Sequence, residues 1–271
     1  MSLRAYLGRH RMPVVFGPST SPRQGPNGES YDYSRAPRTT STVRFLTDAA
    51  RLSRLLPPLC ALDGEPIVTV EHVELRELEW LAGRGYNMLG VKFPVAYVGP
   101  RESLRGSFLS VLWEDRPEPI LSGREELGFA KLFCELPPAR VLNGRTTRSA
   151  VWDGHEFVRM TLDDLAPAQE PPQPDASFAG VLHHRFVPSL RGDDPDVEEM
   201  VMTPAGGAQV HYGSVRRGRG QVEFRRSSWE QLPTMFQVVN ALADLPVLEE
   251  LGGSLIESIG GKDLSDQRVL G

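Results

Sequence analysis

Lysine is scarce in this sequence, although basic residues as a whole are not. Of 30 basic residues only three are lysines, Lys92, Lys131 and Lys262. A preference for arginine codons is the simplest cause. An arginine side chain does not lose its proton in a protein, so chemistry that needs a neutral amine is left to these three residues. A lysine inside an apolar segment is therefore a candidate functional residue.

Cysteines and long hydrophobic runs are also nearly absent. The two cysteines, Cys60 and Cys134, form neither a disulfide framework nor a pair with metal-binding spacing. No apolar stretch approaches the roughly 18 residues that cross a bilayer. Residues 1–6 lack an apolar core of signal-peptide length. We expect a cytoplasmic protein that has no membrane partner.

A strongly basic surface is missing as well. The net charge of −5 argues against nucleic acid as a partner. Basic residues do cluster at Arg216, Arg217 and Arg219, and we interpret them as part of a solvated hairpin or as a lining for the access of an anionic substrate. The six histidines include no pair spaced i, i+4, so no metal site is expected.

The segments near the two ends of the sequence indicate irregular structure and helices instead of strands. Residues 1–43 are rich in Gly, Pro, Ser and Arg without periodicity, which predicts an irregular lead-in packed on the domain. Thr47 is predicted to cap a short helix over 48–56 that two prolines end. Near the other end, residues 229–243 and 247–257 have helical periodicity.

Strand signals dominate the middle of the chain. Alternating, β-branched residues predict strands over 67–75 and 88–98. Further candidate strands are 108–113, 181–187 and 199–203, with hairpin turns at Asn143-Gly144 and Asp153-Gly154 and a proline-rich loop at 171–174.

This order of elements predicts an α+β fold. We expect a largely antiparallel β-sheet that closes into a barrel, with short N-terminal and longer C-terminal helices. The predicted boundaries are a lead-in at 1–43, a single domain at 44–260 and a tail at 261–271.

Lys131 lies in the most informative segment, residues 123–133. Its neighbours include Leu127, Phe129, Leu132 and Phe133. Burial disfavours the charged form of an amine. A neutral amine can attack a ketone and form an imine, which accepts electrons from a breaking C–C bond. The alternative is a lysine that extends its ammonium group into solvent from the edge of the core.

Glu71 is the second candidate. In the predicted strand it shares a face with Val73 and Leu75, so its carboxylate points among apolar groups. Such a position is unfavourable unless the group is paired, protonated or functional. An exposed or structurally paired glutamate is the alternative. Lys92, on the same strand face as Met88, is expected at the surface or at the end of the barrel.

The segment around Lys131 resembles the active-site segment of acetoacetate decarboxylases. Gly123-Arg124-Glu125 followed by Gly128-Phe129-Ala130-Lys131 is similar to the family's Gly-Arg-Glu run, which leads to an aromatic residue and the Schiff-base lysine. Other similar segments occur in the same order over most of the chain: Arg11–Pro18, Thr47–Pro58, Glu65–Val68, Phe93–Tyr97 and Leu242–Val247. Their order and spacing, more than any single motif, indicate the family.

The resemblance implies roles for particular residues. Lys131 is the implied imine-forming nucleophile, Glu71 a buried glutamate that assists positioning or proton transfer, and Arg38 the group that holds the substrate carboxylate. It also implies a homo-oligomer, and no cofactor is expected because the lysine itself supplies the electron sink. The residues predicted to line the substrate pocket are Tyr86, Met88, Trp113 and Phe129.

Two departures from the family pattern bear on the reaction. The family's decarboxylases carry a second lysine where this chain has Leu132. They also carry a second catalytic glutamate where Met88 follows Tyr86-Asn87. Decarboxylation of a 3-oxo acid is the leading hypothesis. The alternatives are aldol condensation, dehydration or cyclisation of a pyruvate-type 2-oxo acid through the same lysine, and non-catalytic binding of small hydrophobic acids.

Overall fold

The computed structural model of the protein describes residues 8–169 and 177–271, so the loop predicted at 171–174 lies outside the described residues. The described residues are mostly strands, β1 Pro37–Leu46, β2 Cys60–Leu62, β3 Ile67–Leu78, β4 Arg84–Val98, β5 Ser103–Glu114, β6 Lys131–Phe133, β7 Arg140–Leu142, β8 Arg145–Trp152, β9 His155–Pro167, β10 Phe178–Val187, β11 Val197–Pro204, β12 Gln209–Phe224, β13 Glu249–Gly261 and β14 Arg268–Val269. The α-helices are α1 Ala49–Ser53, α2 Pro117–Glu125 and α3 Phe236–Ala243, and short 3-10 helices cover Val14–Phe16 and Glu79–Leu81. No helix in these ranges is long and apolar enough to cross a membrane.

The strands form one sheet that is largely antiparallel, as predicted. Its order is β14-β11-β10-β5-β4-β3-β1-β13-β12-β9-β8-β7, with β2 paired to β4 and β6 to β5. β5 runs parallel to β6 and to β10. The end strands β14 and β7 are not paired with each other in this part of the chain, so the predicted barrel closure is not supported. Alternation in a sequence identifies strands with a buried face, but it carries no information on whether the first and last strands meet.

The sheet nevertheless curls over on itself. Arg148 on β8 donates from Nε to the Ser41 hydroxyl on β1 over 2.8 Å and forms an ion pair with Glu74 on β3. Neither β1 nor β3 is a neighbour of β8 in the sheet. The Arg148 side chain is only 5% exposed, so this contact connects two distant parts of the sheet through the interior.

Both predicted hairpin turns are confirmed. Asn143-Gly144 joins β7 to β8 and Asp153-Gly154 joins β8 to β9. All four residues have positive φ, 50° and 80° in the first turn and 47° and 80° in the second. Two consecutive left-handed residues give the twist that a two-residue hairpin requires, and Asn-Gly and Asp-Gly adopt them readily.

The N-terminal predictions need correction. β1 begins at Pro37, inside the segment predicted to be irregular, because its polar residues show no apolar alternation although they pair with β3 and β13. The first helix is shorter than predicted, and its cap is Asp48, which accepts from the Arg51 amide over 2.8 Å. The Thr47 hydroxyl instead donates to the Pro246 carbonyl over 2.7 Å.

The predicted long C-terminal helices are wrong. The helix predicted over 229–243 forms only at Phe236–Ala243, and the segment 247–257 lies largely in strand β13. Gly252 has a φ of 80°, which an α-helix cannot contain. A Cβ on Gly253 would lie 2.4 Å from Leu162 and 2.9 Å from the Thr42 carbonyl, so the neighbouring strands require a glycine there. The arginine cluster predicted in a hairpin lies within strand β12.

The two faces of β3, β4 and β5 have different roles. One face contributes core side chains that are at most 2% exposed, among them Val70, Leu89, Val91 and Trp113. Because side chains alternate along a strand, the residues between them point the other way. That second face forms the wall of a cavity.

Candidate active site

The cavity has a volume of about 320 Å³. Glu71 on β3, Gly90 on β4 and Leu112 on β5 lie side by side in the register of the sheet and all line it. The N-terminal lead-in contributes Pro22, Tyr33 and Ala36, and the C-terminal segment contributes residues 260–262 and 264. Residues from both ends of the chain thus cover the strand face that the middle of the chain provides.

Lys131 lies at the wall of this cavity and is 5% exposed. It begins β6, where it pairs with Leu112 of β5. Its amine is 2.8 Å from the Glu114 carboxylate, donates to the Pro119 carbonyl over 2.9 Å, and lies 5.4 Å from the centre of the Phe129 ring. The alternative in which this lysine extends into solvent is therefore wrong.

The segment before Lys131 is shaped to admit its side chain. The Phe129 amide donates to the Gly123 carbonyl over 3.0 Å, and the Arg124 guanidinium donates to the Lys131 carbonyl over 2.8 Å. A Cβ on Gly123 would lie 2.4 Å from both Cδ and Cε of Lys131. The glycine of the Gly-Arg-Glu run therefore leaves the space through which the lysine reaches its partners.

Glu114 was not identified from the sequence, although it is fully buried. It faces Met88 across the β4–β5 pair and contacts the Lys131 amine. Burial raises the pKa of its carboxyl group against the opposing effect of the Lys131 charge and hydrogen bond. The available signal was its position two residues after Leu112, on the same face of an apolar strand.

Glu71 and Lys92 form the second charged pair in the cavity. Oε2 of Glu71 is 2.5 Å from Nζ of Lys92. Burial raises the pKa of Glu71, but the charge and hydrogen bond of Lys92, with the charge of Arg38, outweigh it and leave the pKa below its usual value. Glu71 shares a face with Val73 and Leu75 as predicted. The expectation that Lys92 lies at the surface or at the end of a barrel is wrong, because it lines this cavity.

Most of the other predicted site residues also line the cavity. Arg38, Tyr86, Met88 and Phe129 all do so. Nε of Arg38 donates to the Thr40 hydroxyl over 3.3 Å. The Phe129 ring stacks on His183 with 4.2 Å between ring centres.

The prediction that Trp113 lines the pocket is wrong. It lies between Leu112 and Glu114 on β5, so the pleat directs its indole to the opposite face. There its ring centre is 5.6 Å from that of Phe157 and its Nε1 is 3.3 Å from the Met235 sulfur. Trp113 is a core residue.

Solved structures with this fold include several enzymes. The acetoacetate decarboxylase of Legionella pneumophila superposes with a TM-score of 0.66 at 18% identity, covering 91% of this chain and 92% of that one. The enduracididine biosynthesis enzyme MppR with bound HEPES gives 0.65 at 16% identity over 98% and 95%, and MppR has also been solved with pyruvate and with the condensation product of pyruvate and imidazole 4-carboxaldehyde. An acetoacetate decarboxylase-like enzyme from Sphingomonas wittichii gives 0.62 at 19% identity over 91% and 97%.

These superpositions establish the fold. The family is established by a match of the sequence itself. No curated protein matches the chain significantly. The sequence profile of acetoacetate decarboxylase, however, matches residues 11–261, nearly the whole chain. The match includes every strand from β1 to β13 and the segment that carries Lys131. The chain belongs to the acetoacetate decarboxylase family.

Proposed function

We propose that this protein is a lyase that forms an imine between Lys131 and a small oxo acid, with decarboxylation of a 3-oxo acid as its reaction. The observation that carries the proposal is the position of the Lys131 amine, which is buried at the wall of a mostly apolar cavity and in contact with a carboxylate. Burial favours the neutral, nucleophilic form of a lysine because water, which stabilises the ammonium form, is excluded.

The proposed reaction follows from the electron demand of an imine. Nζ of Lys131 attacks the oxo carbon, and the oxygen leaves as water. The resulting iminium accepts the electron pair of the C–C bond as CO₂ departs. The enamine then takes up a proton at carbon, and hydrolysis of the imine returns the free amine and releases the ketone.

Arg38 is the proposed partner of the substrate carboxylate. Among the cations that line the cavity, Lys92 is paired with Glu71 and Lys262 is 2.6 Å from Asp266. Arg38 contacts the neutral hydroxyl of Thr40. A planar guanidinium can bind a carboxylate through two parallel hydrogen bonds. Glu71, held in its charged form by Lys92, is proposed to assist positioning or proton transfer.

A second candidate reaction is aldol condensation, dehydration or cyclisation of a pyruvate-type 2-oxo acid. Leu132 and Met88 stand where the family's decarboxylases carry polar groups, and both are apolar. The cavity of about 320 Å³ has the volume of roughly ten liquid water molecules. A four-carbon oxo acid does not fill it, so there is room for a second reactant. MppR, which has the same fold, has been solved in complex with pyruvate and with the condensation product of pyruvate and imidazole 4-carboxaldehyde, so this fold accommodates ligands of that type in that enzyme.

The test of the proposal is borohydride trapping with a panel of 3-oxo and 2-oxo acids, followed by peptide mass spectrometry. We expect a stable adduct on Lys131, absent in Lys131→Ala and retained in Lys262→Arg, a matched change at another lysine of the cavity. An adduct mass lacking CO₂ identifies decarboxylation. A mass that retains the carboxylate, obtained with 2-oxo acids alone, identifies the second candidate.

Absence of an adduct would distinguish an enzyme from a non-catalytic binder. If a folded protein forms no adduct with any acid, yet binds some of them saturably and equally well as Lys131→Ala, the enzyme proposal is wrong. The protein is then a binder of small hydrophobic acids.

We also propose that the protein is a cytoplasmic homo-oligomer that uses no cofactor. The family resemblance supports the oligomer, as do three exposed apolar residues of the lead-in, Met12, Val15 and Phe16, which are 79%, 78% and 85% exposed. The two cysteines, Cys60 and Cys134, are free thiols, as in proteins of a reducing compartment. Sedimentation of the purified protein measures its assembly directly.

A further inference from the structure

The charged group that contacts the Lys131 amine is a carboxylate, not a cation. Oε1 of Glu114 is 2.8 Å from Nζ. At position 132, where the family resemblance implies a second lysine, the chain has Leu132. A cation at that position would favour the neutral amine by repulsion. This chain therefore needs another way to remove the proton from Lys131.

A buried amine and carboxylate can share a proton in two ways. Either the pair is ammonium and carboxylate, or it is amine and carboxylic acid. Removing water disfavours separated charges, so the second arrangement becomes accessible when both groups are buried. Lys131 is 5% exposed and Glu114 is fully buried. Burial raises the pKa of the Glu114 carboxyl group, which favours its protonated form.

Glu114 lies close to Met88, the position at which the family's decarboxylases carry a second catalytic glutamate. Met88 and Glu114 face each other across β4 and β5. The Cα atoms of facing residues in an antiparallel pair are about 5 Å apart. A carboxylate on the adjacent strand therefore reaches the region that a glutamate at position 88 would occupy.

We propose that Glu114 is a catalytic acid–base group that takes a proton from Lys131 and delivers it to the oxygen that leaves as water. This inference rests on the proposed imine function. The ammonium of Lys131 first transfers a proton to Glu114, and the neutral amine attacks the oxo carbon. Glu114 protonates the carbinolamine oxygen, then accepts the second proton from nitrogen and passes it to the same oxygen. The products are the iminium, one water and the Glu114 carboxylate, so protons and charge balance.

The test is the rate of borohydride trapping as a function of pH. Relative to the unchanged protein, Glu114→Gln is expected to trap at least about 100-fold more slowly at pH 7, as loss of a general acid–base group does. Its rate should rise about tenfold per pH unit as hydroxide replaces the missing base. Glu114→Asp should be intermediate. In Glu114→Ala, added formate should restore the rate in proportion to its concentration.

The matched control is Glu74→Gln, which removes a carboxylate from a buried ion pair on the opposite face of β3. It is expected to lower stability without changing the pH profile of trapping. If Glu114→Gln traps at the rate and with the pH profile of the unchanged protein, the inference is overturned while the proposed function stands. Absence of any adduct in the unchanged protein overturns the proposed function instead.

The role of Glu114 can still be tested if the glutamine variant misfolds. Circular dichroism identifies a misfolded Glu114→Gln protein, and the trapping rate of Glu114→Asp is then the test of the acid–base role. A rate more than threefold below that of the unchanged protein, with formate rescue of the alanine variant, supports the inference. A smaller change in rate, or alanine-variant activity that is indifferent to formate, overturns it.

Discussion

Gly123→Ala is expected to lower the rate of imine formation by about 100-fold or more and to leave the protein folded. The new methyl group would lie 2.4 Å from Cδ and Cε and 2.5 Å from Nζ of Lys131, so the lysine must move away. The movement breaks its contacts with Glu114 and with the Pro119 carbonyl. A displacement of about 1 Å at a reacting group is sufficient for a loss of this size. Trapping kinetics together with thermal unfolding measure both parts of the prediction.

The backbone at position 123 accepts alanine without strain, so any loss of stability should come from separating the buried Lys131–Glu114 pair and not from the helix. Gly123 lies within α2 and is not among the glycines with positive φ, and alanine is favoured over glycine in a helix by up to about 1 kcal/mol. Gly192→Ala is the control, because a Cβ there meets nothing within 4 Å and its φ is not positive. Trapping by Gly123→Ala at the rate of this control would show that the lysine tolerates the methyl group and that its position is not critical.

Arg148→Met is expected to lower the free energy of unfolding by about 3 kcal/mol. Removal of one partner of a buried ion pair leaves the other charge uncompensated, which commonly costs 3–5 kcal/mol. The lower value applies because Glu74 is 21% exposed and keeps Arg76 at 3.4 Å. Methionine fills most of the volume of the arginine stem, so little of the loss comes from a cavity. Urea unfolding at a fixed protein concentration gives the difference.

Arg145→Met is the control on the same strand. Arg145 is 60% exposed and pairs with Asp163 over 2.8 Å. Surface pairs of this kind contribute about 0–1 kcal/mol. Equal losses in the free energy of unfolding for the two variants would contradict the view that Arg148 holds the curled sheet together. They would indicate that any substitution in β8 lowers stability by that amount.

Local patterns predicted local structure well. The alternation around Glu71 placed it on one face with Val73 and Leu75, and the Asn-Gly and Asp-Gly pairs located two hairpins, because these signals depend on neighbours in the chain. The catalytic and binding roles of Lys131, Glu71 and Arg38 remain predictions, whereas their convergence on one cavity is a feature of the structure.

Features that depend on distant partners could not be predicted in this way. β13 has helical spacing of its apolar residues and becomes a strand only because β1 and β12 lie on either side of it. Glu114 was missed because the predicted strand ended one residue earlier, at Trp113, and because its partner Lys131 comes from another strand. Whether the sheet closes depends on the pairing of its end strands, and that pairing is not a property of any segment.

The residues that cover the cavity around Lys131 come from distant parts of the chain, which are synthesised at different times. Arg23 in the lead-in donates to the Leu264 carbonyl, a contact between residues 241 positions apart in the chain. A ribosome makes the lead-in well before residues 260–264, so a growing chain cannot complete the cover over Lys131 until those residues have been made. A lysine in water is almost entirely protonated at neutral pH. Until then Lys131, the proposed nucleophile, is solvated and stays in its ammonium form, which does not attack the ketones and aldehydes of the cell.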